Sequence, residues 1–222
     1  MTYAELQTRL ARYLGNASLA DDPTYSSWAG DAINQAHLEL ARELKLPRGY
    51  NTLNVTTGTV TIPDTLQTDG LLYVTDATNA NPLPILYPEK IASKLPDRGS
   101  LSTGVPKVVE YDPFNPAQFK LWPAPAAATD LDIIYAKAPA TLSASTDTPW
   151  ENQLPEFHDL IALLAALLTF EGDWADTERV VWVKRRYDEQ LSLAKNFLKA
   201  GRNPHASRPG EVTRNDASAA KR

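Results

Sequence analysis

The run Leu160-Ile-Ala-Leu-Leu-Ala-Ala-Leu-Leu-Thr-Phe170 constrains this chain more than any other stretch, because it has no polar face. A helix that is apolar all round has to be covered all round. The run spans eleven residues, and a membrane-crossing helix needs about twenty. It therefore reads as a buried core helix. Seven of its side chains are large and apolar: Leu160, Ile161, Leu163, Leu164, Leu167, Leu168 and Phe170. Burying each contributes roughly 1.5–3 kcal/mol, so together they match the net stability of a whole domain, about 5–15 kcal/mol. Such a helix is sheltered either by other helices of the same chain or by neighbouring subunits.

Three further helices are available. Thr2 and Glu5 form a capping box, and Leu6, Leu10, Tyr13 and Leu14 follow at helical spacing until Gly15-Asn16. After Asp21-Asp22-Pro23, Trp28, Ala32, Ala36, Leu40 and Leu44 recur every four residues beside Ile33, and Leu46-Pro47-Arg48-Gly49 closes the helix. The all-apolar helix starts at Pro155, with Glu156 and Asp159 favourably placed in its first turn. Gly172 ends it, and Asp173 caps the next. Val180, Val183, Tyr187, Leu191, Ala194 and Leu198 form the stripe of that last helix, widened by Trp182 and Phe197.

Between these helices the period falls to two. Leu53, Val55, Val60 and Ile62 alternate around Thr57-Gly58, which predicts a hairpin. Leu71–Thr75 and Leu83–Tyr87 flank Asn79-Ala80-Asn81, a second turn. Pro88 to Leu95 predicts a short helix. Lys107–Tyr111, Phe119–Trp122 and Leu131–Ala136 predict three more strands. The expected fold is α+β: a four-helix bundle of two helical hairpins, an antiparallel β insertion, and an extended C-terminal tail. Its parts are residues 1–49 with 150–200, residues 50–149, and residues 201–222.

The tail reads as too polar to order itself. It carries Arg202, Arg208, Arg214, Lys221 and Arg222 against Glu211 and Asp216, a net of +3. With −5 on the whole chain, the remainder carries −8. That acidic body argues against a dedicated nucleic-acid binder. The basic tail is the candidate partner-binding segment.

Chemistry is sparse. The chain has no cysteine, which excludes disulfides and thiolate metal sites. His37, His158 and His205 lie far apart in sequence, and His37 reads as a surface or half-buried residue. His158 sits near Glu156 and Asp159 but has no nucleophile beside it in any recognisable catalytic motif. Glu171, Asp173, Asp176 and Glu178 could hold a divalent cation, but they lack the fixed spacing of an oxygen-ligand loop and read better as helix ends. Lys184-Arg185-Arg186 reads as a solvated face, with Lys184 set to pair with Asp188. No catalytic residue, metal ligand or cofactor site is expected. Trp122 and Trp150 are the candidate subunit-boundary residues, since Trp is enriched at interfaces. The start Met1-Thr2-Tyr3-Ala4-Glu5 lacks a basic, then apolar, leader, which points to a protein made and used in a cytoplasm.

The layout carries a resemblance. Leu121-Trp-Pro-Ala-Pro125, the strand ending Tyr135-Ala-Lys-Ala-Pro139, Thr146-Asp-Thr-Pro-Trp150 and Leu154-Pro-Glu-Phe-His-Asp159 before the Ala/Leu helix resemble the head-to-tail adaptor proteins of tailed bacteriophages. That group includes tail tubular protein A of short-tailed phages. The resemblance spans about Thr2 to Ala200. It implies a structural virion protein at the neck: a ring, typically of twelve subunits, docked between portal and tail, with DNA passing through its centre. It also implies that the C-terminal segment, here Arg202 to Arg222, reaches the portal. An acidic body suits such a conduit, because a channel that held phosphates tightly would stall the genome. The alternative is a tail or baseplate module that recognises a carbohydrate or protein through its β insertion, with Tyr73, Tyr87 or Trp122 responding to ligand.

Overall fold

Thr2 starts the first helix as its capping box predicts. Its hydroxyl accepts from the N–H of Glu5 at 3.4 Å, and the Glu5 carboxylate accepts from the N–H of Thr2 at 2.8 Å. A computed structural model of the chain describes residues 1–15, 23–78, 80–170 and 177–200. Within them run five helices: α1 (Tyr3–Leu14), α2 (Pro23–Leu44), α3 (Pro88–Lys94), α4 (Asp159–Phe170) and α5 (Thr177–Ala200). Eight strands run β1 (Arg48–Val55), β2 (Thr59–Thr61), β3 (Leu66–Asp76), β4 (Asn81–Pro82), β5 (Ile85–Leu86), β6 (Val108–Tyr111), β7 (Gln118–Trp122) and β8 (Thr129–Lys137).

The apolar helix α4 is sheltered within its own chain. It packs against α1, α2 and α5. Leu160, Ile161, Ala162, Leu163, Ala165 and Ala166 have no exposed surface, while Leu164, Leu167 and Leu168 are half-buried. The helical core draws Leu6 and Leu10 from α1, Ile33 and Leu40 from α2, and Val183 and Ala194 from α5. Gly15 closes α1 in the left-handed region at φ 84°, where a side chain would be strained, and its N–H donates to the carbonyls of Ala11 and Arg12.

The expected four-helix bundle with an antiparallel appendage is not the architecture. The strands form two four-stranded sheets, ordered β1-β8-β3-β4 and β2-β7-β6-β5. Their inward faces share a second core of Val55, Val74, Val109, Tyr111, Phe119, Leu121, Leu131, Ile133 and Tyr135, among others. The fold is α+β with two substantial layers of sheet, and it is not dominated by a bundle. It is not purely antiparallel either, since β5 runs parallel to β6.

The predicted hairpin at Thr57-Gly58 is also corrected. β1 pairs with β8 and β2 with β7, so the chain changes sheets at that turn. Alternating burial marks the inward face of a strand but leaves its partner open. The turn near Asn81 does join paired strands, β3 and β4, although Asn79 lies outside the described residues. On α2 the buried stripe begins Tyr25, Ala29, Ile33 and Ala36, and Trp28 is 43 % exposed. Ile33, Ala36, Leu40 and Leu44 of the predicted stripe are buried, and only its first turn differs, where Tyr25 and Ala29 take the place of Trp28. Three predicted features lie outside the described residues: the Asp21-Asp22 entry to α2, the turn between α4 and α5, which holds Glu171, Asp173 and Asp176, and the whole tail.

Candidate interaction surface

Asp159, at the start of α4, gathers three side chains from two helices. The Tyr13 hydroxyl donates to it at 2.6 Å, the Arg186 guanidinium at 3.4 Å, and the Arg9 guanidinium lies 3.6 Å away. Burial, then the bond to Asp159, pushes the Tyr13 hydroxyl up to about 12. This network ties α1 and α5 to the buried end of α4. Beside it the indole of Trp182 lies 6.0 Å from the Tyr13 ring and 5.5 Å under the Arg186 guanidinium. The basic triplet is therefore divided. Arg186 turns inward to Asp159, and Arg185 pairs with Glu189 at 3.0 Å along the solvent face.

The outer flank of α5 is unexpectedly apolar. Trp182 is 49 % exposed, Leu193 60 % and Phe197 55 %. At 100° per residue Trp182 and Leu193 point within about 20° of each other, and Phe197 within about 60° of Trp182. The Phe197 ring lies 6.0 Å from that of Phe157. Such side chains at one flank are characteristic of a contact surface.

A second surface lies on the open face of the first sheet. Tyr50 stands opposite Ile134, and Ile134 opposite Tyr73, so three strands present one apolar row. Below that row, Thr52 donates to Asp132 and Asn54 to Asp130, both at 2.6 Å. The C-terminal turns of α2 and α5 face the row, and the space between is a groove of about 1210 Å³.

A buried junction joins helices to sheets. Trp150, Glu151, Asn152 and Leu154 all have left-handed backbone, with φ of 49°, 54°, 61° and 50°, a conformation costing roughly 1–2 kcal/mol per residue. This contorted loop drives the Trp150 indole into the helical core. There it stacks on His37 at 6.0 Å and meets His158 edge-on at 5.6 Å. The backbone N–H of Trp150 donates to His37 Nε2 at 3.4 Å. His158 Nε2 donates to the carbonyl of Gln153 at 2.9 Å, which leaves Nδ1 to accept from the Met1 amino group at 3.3 Å. Gln153 clasps the first residue of β1, accepting from the Arg48 N–H and donating to the Arg48 carbonyl, both at 2.8 Å. Burial, then the neighbouring His158, pushes His37 down to about 4, and burial lowers His158 as well. Both imidazoles are therefore neutral packing groups.

The residues singled out from the sequence are dispersed. Trp150, expected at a subunit boundary, is 1 % exposed inside its own chain. His37, expected at or near the surface, is also 1 % exposed. Trp122 is half-buried on β7 and donates to the Glu110 carboxylate at 2.6 Å, with Arg98 3.8 Å from the same oxygen. Arg202, Arg208, Arg214, Lys221 and Arg222 lie outside the described residues. Sequence reasoning missed the Tyr50–Ile134–Tyr73 row, because cross-strand register is what creates it. It also missed the exposed flank of α5, where Trp182 and Phe197 read as part of the buried stripe and Leu193 stood outside it. Among the described residues no three His, Asp or Glu side chains gather into a metal-binding group, and no helix is long and apolar enough to cross a membrane.

The family model described as SU10 adaptor protein matches residues 1–212. No curated protein matches the chain.

Proposed function

We propose that this chain, which belongs to the SU10 adaptor protein family and is thereby a structural adaptor protein of a phage, assembles into a ring between the portal and the tail. Family membership also implies a place at the neck of the virion and contacts with other phage structural proteins such as portal and tail. The finer picture is a ring of twelve copies with double-stranded DNA passing through its centre without sequence-specific binding. The likeness to tail tubular protein A belongs to that finer picture and rests on the order of helices and strands. The match over residues 1–212 is the observation that carries the adaptor reading.

Three features support the ring. The all-apolar helix is satisfied inside one chain, so a monomer can fold before it assembles. Apolar side chains nevertheless remain exposed on α5, and association would cover them. The net charge of −5 keeps passing phosphates from sticking. The basic tail, through Arg202, Arg208, Arg214, Lys221 and Arg222, is the segment we assign to the portal, and Trp122 to a subunit boundary. The two helical segments with residues 50–149 between them would serve as its working parts.

Mass photometry or light scattering of the purified chain, alone and mixed with the portal protein of the same phage, tests this proposal. A discrete ring-sized complex is expected, because some adaptors of this kind stay monomeric until they meet the portal. If neither sample yields a complex above the monomer, the adaptor ring is refuted. A carbohydrate-binding module is the second reading, favoured by the exposed Tyr50 and Tyr73 in the open groove. Unchanged Tyr and Trp fluorescence across a panel of glycans removes it.

A further inference from the structure

Two unpartnered features of one chain fit each other. The first is the turn between β6 and β7. Phe114 at its tip is 96 % exposed, the most exposed large hydrophobic side chain among the described residues. The turn that carries it is preformed. Asp112 Oδ1 accepts from the N–H of Phe114 at 3.0 Å, and the Asp112 carbonyl accepts from the N–H of Asn115 at 3.0 Å. The Asn115 carbonyl accepts from Gln118 at 3.4 Å, and Pro113 and Pro116 stiffen both sides. An aromatic ring held out on a rigid turn loses little entropy when it is captured, and such anchors carry most of the energy of an interface.

The second feature is the groove of about 1210 Å³ over the first sheet. Its floor is the row Tyr50, Ile134 and Tyr73, and Leu198 of α5 forms part of its wall. It lies on different elements from the turn, so in a ring the turn of each copy can meet the groove of the next. A contact between unlike patches repeats head to tail, which is how rings are built.

The adjoining tail is the competing occupant, since α5 ends at the groove. Charge argues against it. Four carboxylates, among them Asp69 and Asp132, line the groove with four basic side chains, among them Lys195 and Lys199, so the formal charges cancel. A neutral groove has no pull on a segment of net +3 with Val212 as its one large aliphatic side chain. The near-neutral turn Asp112-Pro-Phe-Asn-Pro116 suits it better.

We propose that Phe114 of one copy seats in the Tyr50–Ile134–Tyr73 groove of the next copy, forming a head-to-tail contact of the assembled protein. This rests on the ring described above. The chain lacks cysteine, so a full-length variant carrying Asn115→Cys beside the anchor and Ala77→Cys on the groove lining reports the contact directly, with Phe114 and Tyr73 intact. Both positions are exposed, so neither change removes a core side chain. In the presence of portal protein, a short bis-maleimide should give a covalent ladder beyond dimer on a denaturing gel, and neither single variant should. Phe114→Ser should weaken association roughly tenfold or more while leaving the melting temperature unchanged.

If rings form but the double variant stays unlinked, or Phe114→Ser assembles like the parent, this contact is refuted and the ring stands. If nothing assembles with portal present, the ring fails and takes the contact with it. A monomer cross-linked internally between Ala77→Cys and Ala217→Cys would place the tail in the groove and overturn the proposal.

Discussion

Replacing Leu163 with alanine tests the central packing claim. Leu163 has no exposed surface and lies on α4, which packs against α1, α2 and α5. Truncating a buried leucine removes its transfer free energy and leaves a cavity, at a cost of about 2–5 kcal/mol. With helices on several sides the site collapses poorly, so a cost of about 3 kcal/mol is expected. In a chain of this length each kcal/mol lowers the melting temperature by roughly 2–4 °C. Leu163→Ala should therefore melt about 6–12 °C below the parent. Leu164→Ala, on the half-buried side of the same helix, should lose about half as much free energy. Leu193→Ala, 60 % exposed on α5, should stay within about 0.5 kcal/mol. Far-UV circular dichroism melts and urea titrations of the isolated monomer measure all three, with an unchanged urea slope confirming that only stability moved. If Leu163→Ala melts with the parent while Leu193→Ala is costly, α4 is not the sheltered helix of this chain and its covering comes from another subunit.

Other outcomes follow from the junction and the sheets. Because His37 is pushed down to about 4, the unfolded chain takes up a proton near pH 6.5 that the folded imidazole takes up only near pH 4. Its contribution is therefore full above pH 6.5 and is lost as pH falls from 6.5 to about 4, by roughly 3 kcal/mol at most. His37→Gln should flatten that part of the profile in urea titrations at pH 7.5, 5.5 and 4.5, and parallel curves would rule out the buried neutral imidazole. Gln153→Ala removes both hydrogen bonds to the Arg48 backbone. It should cost about 1–3 kcal/mol by thermal melt, and an unchanged melt would show that the clasp carries no stability. A methyl at Gly70 would sit 2.7 Å from the carbonyl oxygen of Gln67 and 2.8 Å from that of Ala136. Gly70→Ala should push β3 off β8 and lose roughly 2 kcal/mol or more in the same melt, and a loss under about 0.5 kcal/mol would contradict that close approach.

Much of the helical half was legible because helix patterning is local. The capping box at Thr2, the stripe Leu6–Leu10–Tyr13 and the need to bury α4 all follow from spacing within one segment. Trp28 deceived because an i+4 row drifts around a helix. Only the packing partner decides which side of the drift is buried, and here it chose Tyr25 and Ala29. His37 deceived for a related reason, since a neutral imidazole packs like an aromatic ring once Trp150 is driven against it by a left-handed loop that no periodicity announces.

The β half was legible as strands and not as sheets. Alternation marked Leu53, Val55, Val60 and Ile62 as one buried set, yet β1 and β2 belong to different sheets whose partners lie far along the chain. Pairing is a long-range choice that local pattern cannot encode. The candidate surfaces depend on that choice, for Tyr50, Ile134 and Tyr73 become one row only when β8 lies between β1 and β3. The sequence by itself determined that an apolar helix must be enclosed, that the middle is strands, and that no catalytic motif is present. The tertiary structure decided which chain encloses the helix, how the strands divide into two sheets, and which apolar side chains are left outside, because each is settled by contacts between residues distant in sequence.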